Sequence, residues 1–282
     1  MKKVIVFDLD ETIGHFEEFG RFIDGLAALH EGDVFAKTYK HDAFDSITQK
    51  HFNGLLDLYP EFFRPRIFSV FKNLIKQKKK DKNLQIVIYT NNMGPRSWTL
   101  YIKKYIEDKI KYKLFDKIIT GYRPGEKGNC RTTHNKTRKD LIKCNHLDNN
   151  ALILFFDDQY HPHMHHKNID YIHLYPYRLN IPFVEMSLRF LKANKRGRFG
   201  KNFEFTDKIT QTDFINTISE ILGKLGRKHV SYKVIKTQQS EKDYKETDRI
   251  KKSINKFIKK NITRRKNKKL RANKTHKIKR VK

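Results

Sequence analysis

The sequence predicts an α/β protein: a Rossmann-like parallel sheet of about five strands flanked by helices, with a small insertion after the first strand and a basic C-terminal tail. Three observations carry this. Short apolar runs at Val4 to Phe7, Leu84 to Tyr89 and Ala151 to Phe156 are rich in β-branched and aromatic residues, as strands buried on both faces are. Between them lie longer stretches with apolar residues at helical spacing, and strand–helix alternation implies parallel pairing through right-handed crossovers. Polar residues then follow each run directly: Asp8 and Asp10, Thr90, and Asp157-Asp158. In open α/β sheets ligands gather at the carboxyl ends of the strands, so these residues mark a site.

Taken in order, the first run ends in Asp8-Leu9-Asp10-Glu11-Thr12, and Gly14 breaks it. From there to Tyr59 the periodicity is poor, which reads as a flap and small insertion with short helices at most. Arg64-Pro65 opens a helix, since Pro suits the first helical position, and Ile67, Phe68, Val70, Phe71, Leu74 and Ile75 form its apolar stripe. Lys76 to Lys82 marks its end. The second strand, Leu84 to Tyr89, leads into Thr90-Asn91-Asn92, and Pro95 begins a helix with Trp98, Tyr101, Ile102, Tyr105 and Ile106 inward. A third strand is expected at Phe115 to Thr120, followed by a glycine-rich, basic connection from Gly121 to Arg138 and a short helix around Lys139 to Cys144. After the strongly apolar fourth strand, a fifth is expected at Tyr171 to Tyr175 and a helix at Pro182 to Lys192. Phe214, Ile215, Ile218, Ile221, Leu222 and Leu225 make one more amphipathic helix.

Composition sets the surroundings. The chain has 282 residues, is 38% hydrophobic, and carries 61 Lys and Arg against 31 Asp and Glu, a net +30. That balance predicts polyanionic company: nucleic acid, acidic protein segments or phosphorylated polymers. From Lys251 to Lys282 there are sixteen Lys and Arg and no Asp or Glu, so this stretch holds about half of the net charge and is expected to be disordered, or helical only on a partner. Two cysteines, Cys130 and Cys144, are too few for a disulfide scaffold and fit a reducing compartment. No apolar run approaches the length of a membrane span, so an intracellular protein without membrane contact is expected.

The strand-end residues fit one chemistry, phosphate-ester hydrolysis through an aspartyl-phosphate. A carboxylate attacking phosphorus needs its own charge and that of the phosphate offset by a hard cation and a fixed ammonium. Asp8, a carbonyl at Asp10, and Asp157 or Asp158 suit Mg²⁺, which prefers a few carboxylate oxygens and keeps several waters. Thr90 offers a hydroxyl to a phosphate oxygen, and Asp10, close to other negative charge, has the raised pKa of a general acid and base. The ammonium comes from the basic run Lys136, Arg138, Lys139 and Lys143, in which no local pattern singles out one residue. His161, His163, His165 and His166 invite a zinc site, but a His-rich loop without Cys fixes no tetrahedral geometry, and they read as solvated loop histidines.

The pattern Asp8-x-Asp10-x-Thr12 resembles the first motif of the haloacid dehalogenase superfamily. In the form Asp-Leu-Asp-Glu-Thr it is similar to that of the RNA polymerase II C-terminal-domain phosphatases and their NLI-interacting-factor-like relatives. The resemblance runs from Lys2 to about Pro182. It implies Asp8 as nucleophile, Asp10 as general acid and base, Thr90 as the second-motif hydroxyl, and Lys139 of Lys139-Asp140-Leu141 as the catalytic ammonium. Asp8, Asp10, Asp157 and Asp158 become the Mg²⁺ ligands, with Thr12, Asn91 and Lys127 toward phosphate or substrate. Lys127 stands where relatives have an Arg, three residues before Cys130, which keeps the charge and loses the two-pronged grip on phosphate. The family's Ser-Pro after the metal pair is here Gln159-Tyr160. The domains implied are a phosphatase domain at 1–192, a helical extension at 193–235 and the basic tail at 236–282. The implied activity is a Mg²⁺-dependent protein serine/threonine phosphatase, with a phosphoprotein such as the RNA polymerase II C-terminal repeat as substrate and the tail reaching nucleic acid. A nuclear or viral cytoplasmic transcription compartment would suit it. The alternatives are a polynucleotide 3′-phosphatase of the same superfamily and a nucleic-acid-binding protein with an inactive phosphatase domain.

Overall fold

The computed structural model describes residues 2–30, 47–195, 211–226 and 238–259. Five parallel strands, β1 (Lys3–Phe7), β2 (Leu84–Tyr89), β3 (Lys117–Ile119), β4 (Leu152–Asp157) and β5 (Ile169–His173), form one sheet in the order β3-β2-β1-β4-β5. The helices are α1 (Glu17–His30), α2 (Gln49–Leu56), α3 (Ile67–Lys80), α4 (Arg96–Ile110), α5 (Arg138–Asn145), α6 (Phe183–Asn194), α7 (Gln211–Gly226) and α8 (241–259). The α/β architecture is the expected one.

β1 lies at the centre because every one of its residues is buried, and a strand with no polar face has nowhere else to go. Its side chains alternate between two cores. Ile5 and Phe7 join the larger core, with Ile86, Ile88, Leu154, Phe156 and residues of all the helices except α5. Phe7 stacks on Phe156 at 5.1 Å and meets the edge of Phe71 at 5.9 Å, so its truncation to Ala would cost about 3–5 kcal/mol. Val4 and Val6 face the smaller core, with Val87, Tyr89, Ile153, Phe155 and the inner residues of α5. Among the described residues α5 is the α-helix that lines this second face, and Asp8, two residues on from Val6, continues it.

Several boundaries move. The insertion after β1 holds α1, fourteen residues long, and α2, where short helices at most were expected; residues 31–46 lie outside the described ones. Phe19, Phe22, Ile23 and Leu26 give α1 its buried stripe. α3 starts at Ile67, past Arg64-Pro65, because Arg66 holds a left-handed backbone with φ 60°, while the buried Arg64 side chain donates to the carbonyls of Glu11, Thr12 and Tyr175 and ties down the loop after β1.

The expected tail boundary at 236 is corrected as well. Ile250, Ile254 and Phe257 form an apolar stripe on α8 that enters the large core. Thr247 donates to the Pro65 carbonyl at 2.8 Å, Arg249 donates to the His173 carbonyl at 2.9 Å, and the Tyr175 amide donates to Glu246 at 3.0 Å. Counting charges over 251–282 hid Ile254 and Phe257, which a helix places on one side with Ile250. Residues 236–237 and 260–282 of the expected tail, with 196–210 and 227–235 of the extension, lie outside the described ones. Among the described residues no helix is long and apolar enough to cross a membrane.

Candidate active site

β1 and β4 pair in register up to Phe7 and Phe156, and the Asp8 amide donates to the Phe156 carbonyl at 2.9 Å. The next residues, Asp8 and Asp157, therefore stand side by side at the carboxyl edge on the α5 face. One carboxylate oxygen from each of Asp8, Asp157 and Asp158 lies within 4.8 Å of the others, and all three residues are buried. The Thr12 hydroxyl donates to Asp158 Oδ1 at 3.0 Å, and the Gln159 amide to Asp157 Oδ1 at 2.9 Å.

The ammonium in this cluster belongs to Lys136. Its Nζ is 2.6 Å from Asp8 Oδ1 and 2.6 Å from Asp157 Oδ2, and only 2% of its side chain is exposed. This corrects Lys139, which is exposed on α5. The physical reason is where the helix begins. The Thr137 hydroxyl accepts from the Asp140 amide and caps α5, after which helical geometry turns Asp140, Leu141, Cys144 and Asn145 inward and leaves Lys139 outside. Lys136 precedes the cap, where the chain crosses the strand ends.

The other expected residues divide. Asp10 is not part of the carboxylate trio: its Oδ2 accepts from Asn92 Nδ2 at 3.0 Å, which sets it at the β2 side of the site. Thr90 is buried, and its hydroxyl oxygen accepts from the Asn92 amide at 3.0 Å. Thr12 is buried and engaged with Asp158, which makes it a support for a carboxylate where a substrate contact was expected. Asn91 is likewise engaged, its Oδ1 accepting from Arg131 at 2.8 Å. Lys127 is exposed in the turn region 124–128. His161 departs from the expected solvated loop: it is buried, with Nε2 3.2 Å from Asp157 Oδ1, while His163, His165 and His166 are exposed.

The charges do not balance, and the carboxyls register it. Burial pushes Asp8 well above the usual carboxylate range in spite of Lys136, and Asp157, Asp158 and Asp10 add to the effect. Asp158 is pushed up to about 6, by burial first and then by Asp157 and Glu11. Asp157 moves down: burial opposes its ionisation, but Lys136 and His161 together outweigh that. Asp10 is raised by burial, with the Asn92 hydrogen bond opposing. Lys136 is desolvated too, yet Asp8 and Asp157 hold its ammonium above the ordinary lysine range. Three buried carboxylates facing one ammonium fit a divalent cation, and the all-oxygen donor set suits a hard one such as Mg²⁺.

Lys136, His161 and Arg131 are the site residues that sequence reasoning passed over or weighed wrongly. Lys136 had the right chemistry, three positions from the residue chosen. Arg131 is a buried guanidinium beneath the β2 end, lifted out of water at the cost of a lowered pKa, and nothing in its local sequence marks it. Cys130 and Cys144, expected to fit a reducing compartment, are joined in a disulfide that ties the loop before Lys136 to α5.

No protein-family model matches the chain, and no curated protein is similar to it. Among solved structures, CbbY from Rhodobacter sphaeroides in complex with phosphate is 15% identical, with a TM-score of 0.33, covering 61% of this chain and 93% of that one. A CbbY variant from the same organism in complex with xylulose-(1,5)bisphosphate has the same identity and TM-score and covers 56% of this chain and 78% of its own. Neither similarity bears on the chemistry of this chain.

Proposed function

We propose that the chain is a Mg²⁺-dependent phosphomonoesterase of the haloacid dehalogenase type, acting on phosphoserine or phosphothreonine in a protein. The observation that carries this reading is the trio of Asp8, Asp157 and Asp158 at the ends of two adjacent parallel strands, with Lys136 bridging the first two. Asp8, Asp157 and Asp158 would hold the metal, whose contribution is to offset the charge of the phosphate and the attacking carboxylate.

Asp8 attacks phosphorus, and as its Oδ–P bond forms, the bond from phosphorus to the substrate oxygen breaks. The electron pair leaves on that oxygen, which takes a proton from Asp10. Burial suits Asp10 to carry that proton, and Asn92 aims its carboxylate. Lys136 offsets negative charge on Asp8 and the transferred group. Thr90 keeps its hydroxyl proton for a phosphate oxygen, since its oxygen accepts from Asn92. In the second half Asp10, now a carboxylate, takes a proton from water, the hydroxide attacks phosphorus, and the Asp8–phosphate bond breaks. The resemblance of residues 8–12 to the C-terminal-domain phosphatases supports a phosphoprotein as substrate. The net +30 favours a second reading, a polynucleotide 3′-phosphatase with the same chemistry.

The deciding experiment is a side-by-side assay of phosphopeptides and 3′-phosphorylated oligonucleotides with Mg²⁺, with Asp8→Asn as control. Turnover of the peptides above the oligonucleotides supports the first reading and the reverse order the second. Equal turnover in Asp8→Asn and wild type would sink both.

A further inference from the structure

A lysine side chain is long and flexible, and nothing in Lys136 itself holds its ammonium between two carboxylates. The structure supplies the constraint through Arg131, five residues earlier and 3% exposed. One arm of its guanidinium, Nη1, donates to the carbonyls of Thr90 at 3.1 Å and Thr120 at 3.2 Å and to Asn91 Oδ1 at 2.8 Å. The other, Nη2, donates to the carbonyl of His134 at 2.8 Å, closing the loop on itself two residues before Lys136. The guanidinium lies 5.0 Å from the centre of the Tyr89 ring, and the hydroxyl of the same tyrosine accepts from the Thr137 amide at 3.0 Å, one residue after Lys136. Arg131 and Tyr89 thus grip the backbone on both sides of Lys136 and fasten it to the chain that follows β2 and β3. Next to Arg131, the Cys130–Cys144 disulfide fastens the near end of the same loop to α5, and the Thr132 hydroxyl donates to Asp140 Oδ1 at 2.8 Å.

We propose that Arg131, braced by the Cys130–Cys144 disulfide, is the positioning residue that holds Lys136 between Asp8 and Asp157. Its catalytic consequence rests on the phosphatase reading above, but its structural consequence does not. Arg131 touches none of the three carboxylates or Asp10, so its effect reaches the chemistry through Lys136 and through the Thr90–Asn91 segment that it also holds, and the reactivity of Lys136 separates the two. A displacement of about 1 Å at a group that must meet a transition state can cost on the order of 10²-fold in rate. Breaking the disulfide with dithiothreitol should act in the same direction. The reagent's two thiols give two electrons and two protons to the S–S bond, two cysteine thiols form, and the reagent closes to its cyclic disulfide.

The test uses the full chain and two readouts. The first is the rate at which Lys136 Nζ is reductively methylated, followed by mass spectrometry of its peptide, with a melting curve for each variant. The second is the separate kcat and KM for p-nitrophenyl phosphate with Mg²⁺. For Arg131→Met, methylation of Lys136 is expected to quicken about tenfold or more, and kcat to fall by tens to about 10²-fold with KM little changed. Arg131→Lys, which keeps a charge without the fork, should lie between Arg131→Met and wild type. Should Arg131→Met fail to fold, reduced wild type and the Cys130→Ser, Cys144→Ser double variant carry the test, and both should show faster methylation. Unchanged Lys136 methylation in the folded variants, or on reduction, overturns the proposal whatever the activity. A wild type inert toward every phosphate ester, whose Lys136 still becomes reactive in Arg131→Met, overturns the phosphatase reading and upholds the positioning role.

Discussion

The two ends of β1 carry buried charge in opposite ways. At the amino end Lys3, 5% exposed, forms an ion pair with Asp81. At the carboxyl end three carboxylates share Lys136. A buried charge is tolerable when paired and costly when not, so the first end is built for stability and the second stores an electrostatic deficit. That deficit is what a divalent cation can offset. The strand between the two ends is continuous, and the difference lies in what the end of β4 and the loops bring to each.

The sharpest way to break the comparison is at Asp8. Asp8→Asn should lower kcat for p-nitrophenyl phosphate by about 10⁴-fold or more, while the metal-free melting temperature does not drop, because the amide removes one of the crowded charges. Steady-state kinetics and calorimetry read the two halves, and a variant that melts lower but still turns over would place Asp8 among the structural pairs.

The lysines test the same contrast. Lys136→Met should cost about 10²–10³-fold in kcat, the usual loss when one fixed donor to a developing charge is removed, whereas Lys139→Met should stay within about twofold. A larger loss for Lys139 than for Lys136 would return the ammonium role to the helix. At the other end, Lys3→Met should leave kcat unchanged and lower stability by about 1–3 kcal/mol in chemical denaturation, since the mostly buried Lys3–Asp81 ion pair is lost.

The smallest effect sharpens the electrostatics. Asp158 has a folded-state pKa of about 6, above the ordinary 3.8, so between these values the folded protein binds more protons than the unfolded chain. Its contribution to stability therefore falls as pH rises from about 4 to 6 and stays low above that. Without metal, Asp158→Asn should gain on wild type over that window, from nothing near pH 4 to on the order of 1–2 kcal/mol above pH 7. With Mg²⁺ the order should reverse at neutral pH, because the wild type then gains binding energy that the variant lacks. Melting curves across pH with and without Mg²⁺ measure this, and a gap independent of both would mean that Asp158 bears no unbalanced charge.

Much of this protein was determined by sequence alone, because the features concerned are local. The apolar runs ending in Asp8, Tyr89 and Asp157 fix buried strands through their composition, and a carboxylate after such a strand stands at the sheet's edge wherever the helices go. The stripe of α3 and that of α4 were legible for the same reason, since helical spacing is a property of a dozen neighbouring residues. What stayed hidden depends on partners distant in the chain. Lys136 and Lys139 are alike as residues, and only the cap at Thr137 and the place where the loop crosses β1 and β4 decide which one meets Asp8, 128 residues away. Arg131 and Cys144 acquire meaning from Thr90, Thr120 and Cys130, which the folded loop brings to them. α8 looked like tail because its charge is spread along the sequence, whereas Ile250, Ile254 and Phe257 become a buried surface only when a helix aligns them and the large core receives them. Tertiary structure decides these points because pairing energy depends on distance in space, and the chain's order does not specify that distance.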